Sequence, residues 1–172
     1  MRRPASSRTT NGPNPSPNPI SNPNPNPNPD PNPTPNPNQN AIHHTYNRAV
    51  VIHGVHYLRV QNNVAFETMG NTFFVEDGIE TKNVITHNLG ANTRQSFAGL
   101  TVDQTPATYW FVNPDNYVAS NIAAGSTHYG LWFFPEPKVR GASEFEPGSD
   151  QVCPQGTPLL WFADNEAHHC GS

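Results

Sequence analysis

Val60-Gln61-Asn62-Asn63-Val64-Ala65 is the phrase that decides how this chain folds, because it comes back. It returns as Val84-Ile85-Thr86-His87-Asn88-Leu89-Gly90 and as Val118-Ala119-Ser120-Asn121-Ile122-Ala123-Ala124. A weaker copy is Phe162-Ala163-Asp164-Asn165-Glu166-Ala167. Each copy is a short β-prone run, then an asparagine, then small or apolar residues. The asparagines stand 25, 33 and 44 residues apart. The first spacing suits one coil of a solenoid, and the longer ones suit a coil carrying an inserted loop. Asparagine tolerates the left-handed backbone of a sharp turn, and stacked asparagines bond to one another. The residue after each asparagine is expected to point inward and stack on its equivalents. One coil cannot bury its own face, so coils must stack.

Working outward, residues 42–172 hold other short β-branched and aromatic runs: Val50 to Ile52, Thr72 to Val75, Tyr109 to Val112 and Leu131 to Phe134. Gly, Asn, Asp and Pro separate them, and no helical period is sustained, so the reading is all-β. A parallel β-helix of about four coils and an antiparallel sandwich with Asn-rich turns both fit this pattern.

Residues 1–41 read differently. Thirteen of the 20 prolines lie at or before Pro37, alternating with Asn, Ser, Asp or Thr from Asn14 onward. Proline removes a donor and fixes φ, and little here is apolar. The segment reads as a disordered, extended Asn-Pro spacer. It carries Arg2, Arg3 and Arg8 against Asp30, whereas residues 42–172 carry a net charge of −6, from a total of −4 less the +2 of the tail. An acidic folded part argues against general nucleic-acid binding, which needs a basic face. No apolar run approaches the ~20 residues of a membrane span, and the N-terminus lacks the apolar core of a signal peptide.

The repeats occur in a recognisable order. Val51-Ile-His-Gly-Val-His56 is followed by Asn62 to Gly70 and Phe74 to Gly90. Ala107 to Asn116, Asn121 to Ser126, Tyr129-Gly-Leu-Trp-Phe133 and Phe162 to His169 come after. This series resembles the β-helix region of the G8-domain family, which includes fibrocystin-like proteins and the cell-migration-inducing and transmembrane hyaluronan-degrading proteins. The resemblance covers about residues 42–170. It implies a right-handed parallel β-helix and an extracellular or cell-surface setting. It also implies either contact with a hyaluronan-like polysaccharide or a non-catalytic structural or adhesion role. Where the family carries a G8 domain this chain has the Asn-Pro tail, and the solenoid reads as part of a longer one.

Candidate chemistry is sparse. Glu76, Asp77 and Glu80 form an acidic cluster, and glycosidases work with two carboxylates. Glu76, Asp77 and His87 are the candidate catalytic residues, although Asp77-Gly78 also reads as a turn. His53 and His56 flank Gly54-Val55, and stacking could bring His56, His87 and His128 onto one face as bases or ligands. His168 and His169 close the last coil. No zinc motif such as HExxH occurs, no cofactor is indicated, and calcium stays open. Trp110, Tyr129 and Trp132 would stack on sugar rings if exposed, and Arg94, with Arg59 and Lys82, would pair with uronate carboxylates. Cys153 and Cys170 are either free thiols or a disulfide closing about 17 residues, worth roughly 3 kcal/mol.

Overall fold

The computed structural model describes residues 38–171. The low-complexity spacer expected for residues 1–41 lies, up to Pro37, outside the described residues. The chain winds through four coils, each laying one strand in each of three sheets. The first coil is β1 (Ala41–Thr45), β2 (Val50–Ile52) and β3 (Arg59–Gln61). The second is β4 (Val64–Met69), β5 (Phe73–Val75) and β6 (Val84–Thr86). The third is β7 (Leu89–Arg94), β8 (Ala107–Phe111) and β9 (Tyr117–Ala119). The fourth is β10 (Ile122–Ala124), β11 (Tyr129–Phe133) and β12 (Trp161–Ala163), and β13 (Glu166–His168) opens the next. The first sheet is ordered β1-β4-β7-β10-β13, the second β11-β8-β5-β2 and the third β12-β9-β6-β3. Every ladder is parallel. This is a parallel β-helix, not a sandwich. No α-helix occurs among the described residues, and no helix there is long and apolar enough to cross a membrane.

The irregular asparagine spacing has a simple cause. The third coil carries an insertion between β7 and β8, residues 95–106. The fourth carries one between β11 and β12, residues 134–160. Both insertions leave the helix at a corner and return, so the register of the sheets is untouched.

The asparagines form a continuous internal ladder. Asn63 donates its backbone N–H and its Nδ2 to Asn88 Oδ1 at 3.0 and 2.9 Å. Asn88 does the same to Asn121 at 3.1 and 3.0 Å, and Asn121 to Asn165 at 3.0 Å for both. The ladder reaches back to Asn40, whose N–H and Nδ2 meet Asn63 Oδ1, and Asn38 accepts from Gln61 N–H. Two details differ from the sequence reading. The left-handed residues are not the ladder asparagines but their predecessors Asn62, His87, Ser120 and Asp164, with φ of 53° to 57°. The residues just after the asparagines, Val64, Leu89, Ile122 and Glu166, form an outward column. The next ones, Ala65, Gly90 and Ala123, point in. Strand alternation forces this once the asparagine side chain itself is turned inward.

The interior is built from columns one coil apart. Phe73 stacks on Tyr109 at 4.8 Å and 5°, and Phe111 on Phe133 at 5.1 Å. Ile52, Val75 and Phe111 share one column, and Val60, Ile85 and Val118 another. Each fully buried side chain of this size contributes about 1.5–3 kcal/mol. A second apolar cluster lies on the outer face of the second sheet, where Phe74, Trp110 and Val112 are covered by Val102 and Trp132.

Candidate functional site

The corner between the second and third sheets holds the densest chemistry. His53-Gly54 leaves β2, and one coil on Glu76-Asp77-Gly78-Ile79-Glu80 leaves β5, so the two turns stack. Gly78 has φ +91°, a turn that a side chain would strain. The two adjacent acids flank one imidazole: His53 Nδ1 is 3.1 Å from Asp77 Oδ1, and Nε2 is 3.6 Å from Glu76 Oε2. Glu76 also meets Arg48 Nη1 at 3.3 Å.

Asp77 and Glu80 are buried. Asp77 Oδ2 accepts from Ser143 Oγ at 2.7 Å and Ser143 N–H at 3.3 Å. Its carbonyl accepts from Arg140 N–H at 2.9 Å, tying the 134–160 insertion to the corner. Glu80 Oε1 accepts from Gly54 N–H at 3.0 Å and Oε2 from Gly78 N–H at 2.8 Å. Burial pushes the Glu80 carboxyl up from its ordinary range, and the nearby Asp77 charge adds to this. The Gly54 and Gly78 N–H groups oppose it. Ligand atoms of His53, Asp77 and Glu80 all lie within 4.8 Å of one another.

Arg48 links this corner to the other insertion. Its Nε and Nη2 meet Asp103 at 3.2 and 3.0 Å, and its guanidinium lies 3.8 Å over the Phe74 ring. Asp103 also accepts from Asn71 N–H and Nδ2 at 3.1 and 3.0 Å. Sequence reading passed over Arg48, Asp103 and Ser143, which belong to no repeated phrase.

The remaining candidates are dispersed. His87 is exposed on the turn between the third and first sheets, on a different corner from Glu76 and Asp77. His56 lies on the second-third corner and His128 on the first-second corner. The expected single face of His56, His87 and His128 is therefore not formed, because each falls on a different turn of its coil. The aromatics do come together. Trp132 is 4.9 Å from Trp110, 4.1 Å from Tyr129 and 5.7 Å from Phe134. Trp110 is buried beneath this patch with its indole N–H unbonded, while Tyr129 and Phe134 are exposed. Arg94 lies apart at the end of β7, bonded to Glu67 at 2.9 Å, and Lys82 pairs with Asp115 at 2.7 Å. Arg59 is exposed on the third sheet, in the column that carries Tyr117 and Trp161, stacked at 5.6 Å and 10°. The disulfide raised for Cys153 and Cys170 is absent: both are free thiols. Cys170 packs against the interior below Ala123, whereas Cys153 lies in the outer insertion.

Three parallel sheets formed by stacked coils around an internal asparagine ladder define a β-helix solenoid. The chain belongs to the CEMIP beta-helix family, which it matches over residues 33–172. Among similar proteins, Fibrocystin-L of Mus musculus is 40% identical over 132 residues, covering 76% of this chain and 3% of that protein. Cell surface hyaluronidase CEMIP2 of Homo sapiens is 31% identical over 153 residues, covering 74% of this chain and 11% of that protein. Cell migration-inducing and hyaluronan-binding protein of Homo sapiens is 30% identical over 154 residues, with the same two shares. The chain thus spans only about a tenth or less of the length of these relatives. The family resemblance read from the ordered motifs and these matches agree.

Proposed function

We propose that this chain is a β-helix module of a cell-surface or extracellular protein that contacts polysaccharide and does not cleave it on its own. The observation that carries the second half is the state of the acids. Glycoside hydrolysis needs two carboxylates facing each other across an accessible bond. Here Asp77 and Glu80 are buried and bonded to backbone N–H groups and Ser143, and Glu76 faces Arg48 and His53. His87, the candidate base, stands on another corner. The first half is supported by the partly exposed Tyr129–Trp132 pair, sized to take the apolar face of a sugar ring. Relatives named for hyaluronan point the same way.

The test incubates the full chain with fluorescent high-molecular-weight hyaluronan, with and without calcium, followed by size exclusion. Retarded but intact polysaccharide, released by Tyr129→Ala, is the expected outcome. Shortened chains, lost in a Glu76→Gln/Asp77→Asn variant, would overturn the non-hydrolytic reading. No interaction from a folded chain would leave the structural or adhesion role, the reading favoured by the 40% identity to Fibrocystin-L.

A further inference from the structure

We infer that the corner between the second and third sheets is a divalent transition-metal site, with His53, Asp77 and Glu80 as its protein ligands. It is independent of the polysaccharide reading and stands on geometry and on charge.

The geometry is that of converging donors from successive coils. His53 comes from the turn after β2, and Asp77 and Glu80 from the turn after β5. The three donor atoms lie within 4.8 Å of one another, and the His53 and Asp77 donors are 3.1 Å apart. Ligands on one zinc ion, at bonds of about 2.1 Å, stand about 3.4 Å apart in a tetrahedron. The exposed His53 ring has room to swing and close the difference. Lone pairs remain for a metal. The Glu80 oxygens meet the Gly54 and Gly78 N–H groups and lie near Glu80's own N–H, which leaves lone pairs among the four of the carboxylate, and Asp77 Oδ1 faces only His53. Glu76 Oε2 lies beside His53 Nε2 at 3.6 Å. That is the side on which an imidazole ligated through Nδ1 carries its proton, so Glu76 is placed as the outer carboxylate that orients such a ligand.

Charge supplies the second, separate observation. Asp77 and Glu80 are two buried carboxylates close enough to affect each other, and among the described residues no Lys or Arg nitrogen bonds either one. Arg48 is held by Glu76 and Asp103, Arg140 by Glu136 and Lys138 by Glu144. Another acid stands close, since Glu146 Oε1 lies 2.9 Å from where a Gly54 Cβ would be. Asp77 has only the exposed His53 imidazole beside it, and among the described residues Glu80 has no basic side chain bonded to it. Buried carboxylates so poorly matched in charge are costly, and a divalent cation at this point offsets both. The donor set names the class of ion. Calcium takes oxygen ligands throughout, whereas one imidazole with two carboxylates suits zinc or manganese. Solvent reaches the site on the His53 side, leaving a coordination position for water.

The test titrates zinc into the chelator-stripped full chain by calorimetry and repeats it with His53→Ala. The wild-type chain is expected to take up one tight equivalent. In H53A that equivalent weakens by roughly 100-fold or more, beyond the 10–100-fold lost with an outer-shell partner. Zinc should also raise the melting temperature of the wild type and not that of H53A. His53 is exposed, so metal-free H53A should keep the wild-type circular dichroism. Glu80→Gln should lose the same equivalent, but because Glu80 is buried, H53A decides if that variant folds poorly. The exposed pairs His43–His44 and His168–His169 would bind zinc equally in both proteins, so the difference between them isolates the corner. Equal stoichiometry and affinity in wild type and H53A, or no tight equivalent in the wild type, would overturn the assignment.

Discussion

Replacing Asn88 with alanine tests the ladder at a fully connected internal rung. Asn88 Oδ1 accepts from Asn63 N–H at 3.0 Å and Asn63 Nδ2 at 2.9 Å. Its Nδ2 donates to Asn121 Oδ1 at 3.0 Å and to Val60 C=O at 2.9 Å. Asn121 Oδ1 keeps a donor after the change, because the backbone N–H of residue 88 also reaches it at 3.1 Å. The Asn63 donors do not, and Asn63 is buried. Two orphaned buried donors at about 1–3 kcal/mol each give a loss of about 4 kcal/mol. Against a total stability of about 5–15 kcal/mol this is a large fraction.

The assay is urea unfolding of the full chain, followed in parallel by far-UV circular dichroism and tryptophan fluorescence. With a slope of about 2 kcal/mol per molar, the midpoint should fall by about 2 M. Asn88→Asp should be at least as damaging, although it fits the space. The carboxylate still accepts from Asn63 but sets a buried charge against Asn121 Oδ1 and Val60 C=O, two acceptors. Asn165→Ala should cost about 2 kcal/mol, because of the two Asn121 donors it orphans only the buried N–H, while Asn121 Nδ2 keeps its bond to Ile85 C=O at 2.8 Å. A loss below about 1 kcal/mol for N88A, or a loss for N165A as large as that for N88A, would refute the claim that desolvated ladder bonds hold the coils in register.

Arg48→Ala strips Asp103 of its ion pair while leaving it buried, and should cost about 3–5 kcal/mol. Limited proteolysis should then cut within residues 95–106. Tyr109→Phe removes the hydroxyl that donates to Asn88 C=O at 2.7 Å, and should cost about 1 kcal/mol at neutral pH. Burial raises the Tyr109 hydroxyl well above its ordinary value. The unfolded chain ionises near pH 10 while the folded one keeps its proton, so this contribution is complete below about pH 10 and lost as pH rises beyond it. Alkaline melting curves should therefore fall less steeply for Y109F than for wild type. Gly90→Ala would set a Cβ 2.2 Å from Thr108 Cγ2, an overpacking worth about 1–3 kcal/mol. Thr108→Ser should restore part of this loss, since it removes that methyl and keeps the hydroxyl bonded to Thr93 at 2.9 Å.

The ladder was legible because its residues obey a local rule that repeats: a sharp turn, an asparagine, a strand. Insertions lengthen the interval without changing the phrase, so spacings of 33 and 44 still point to one structure. The phase within the phrase was not legible. Whether Val64 or Ala65 faces inward depends on which way Asn63 is turned, and that is set by the coil above rather than by the strand itself. The histidines went wrong for a related reason. Recurrence at coil-like intervals is a statement about height along the solenoid, and His56, His87 and His128 differ in corner.

The second-third corner shows how far the same rule reaches. His53-Gly54 and Asp77-Gly78 are the same dipeptide frame, 24 residues apart, close to the 25 that separate Asn63 from Asn88. Applying the ladder's interval to the histidines would have set His53 against Gly78, one residue past Asp77, and Gly54 against Ile79 in the same turn. No interval could have supplied Ser143, which lies 66 residues from Asp77 and arrives through the insertion. The coil repeat thus encodes the two ligand-bearing turns, and the insertion supplies the covering wall. A corner assembled that way keeps its donors in register by the sheets on either side while the covering segment varies independently. For a solenoid that presents chemistry at its turns, stacking fixes which side chains meet, and the loops decide which of them stay dry.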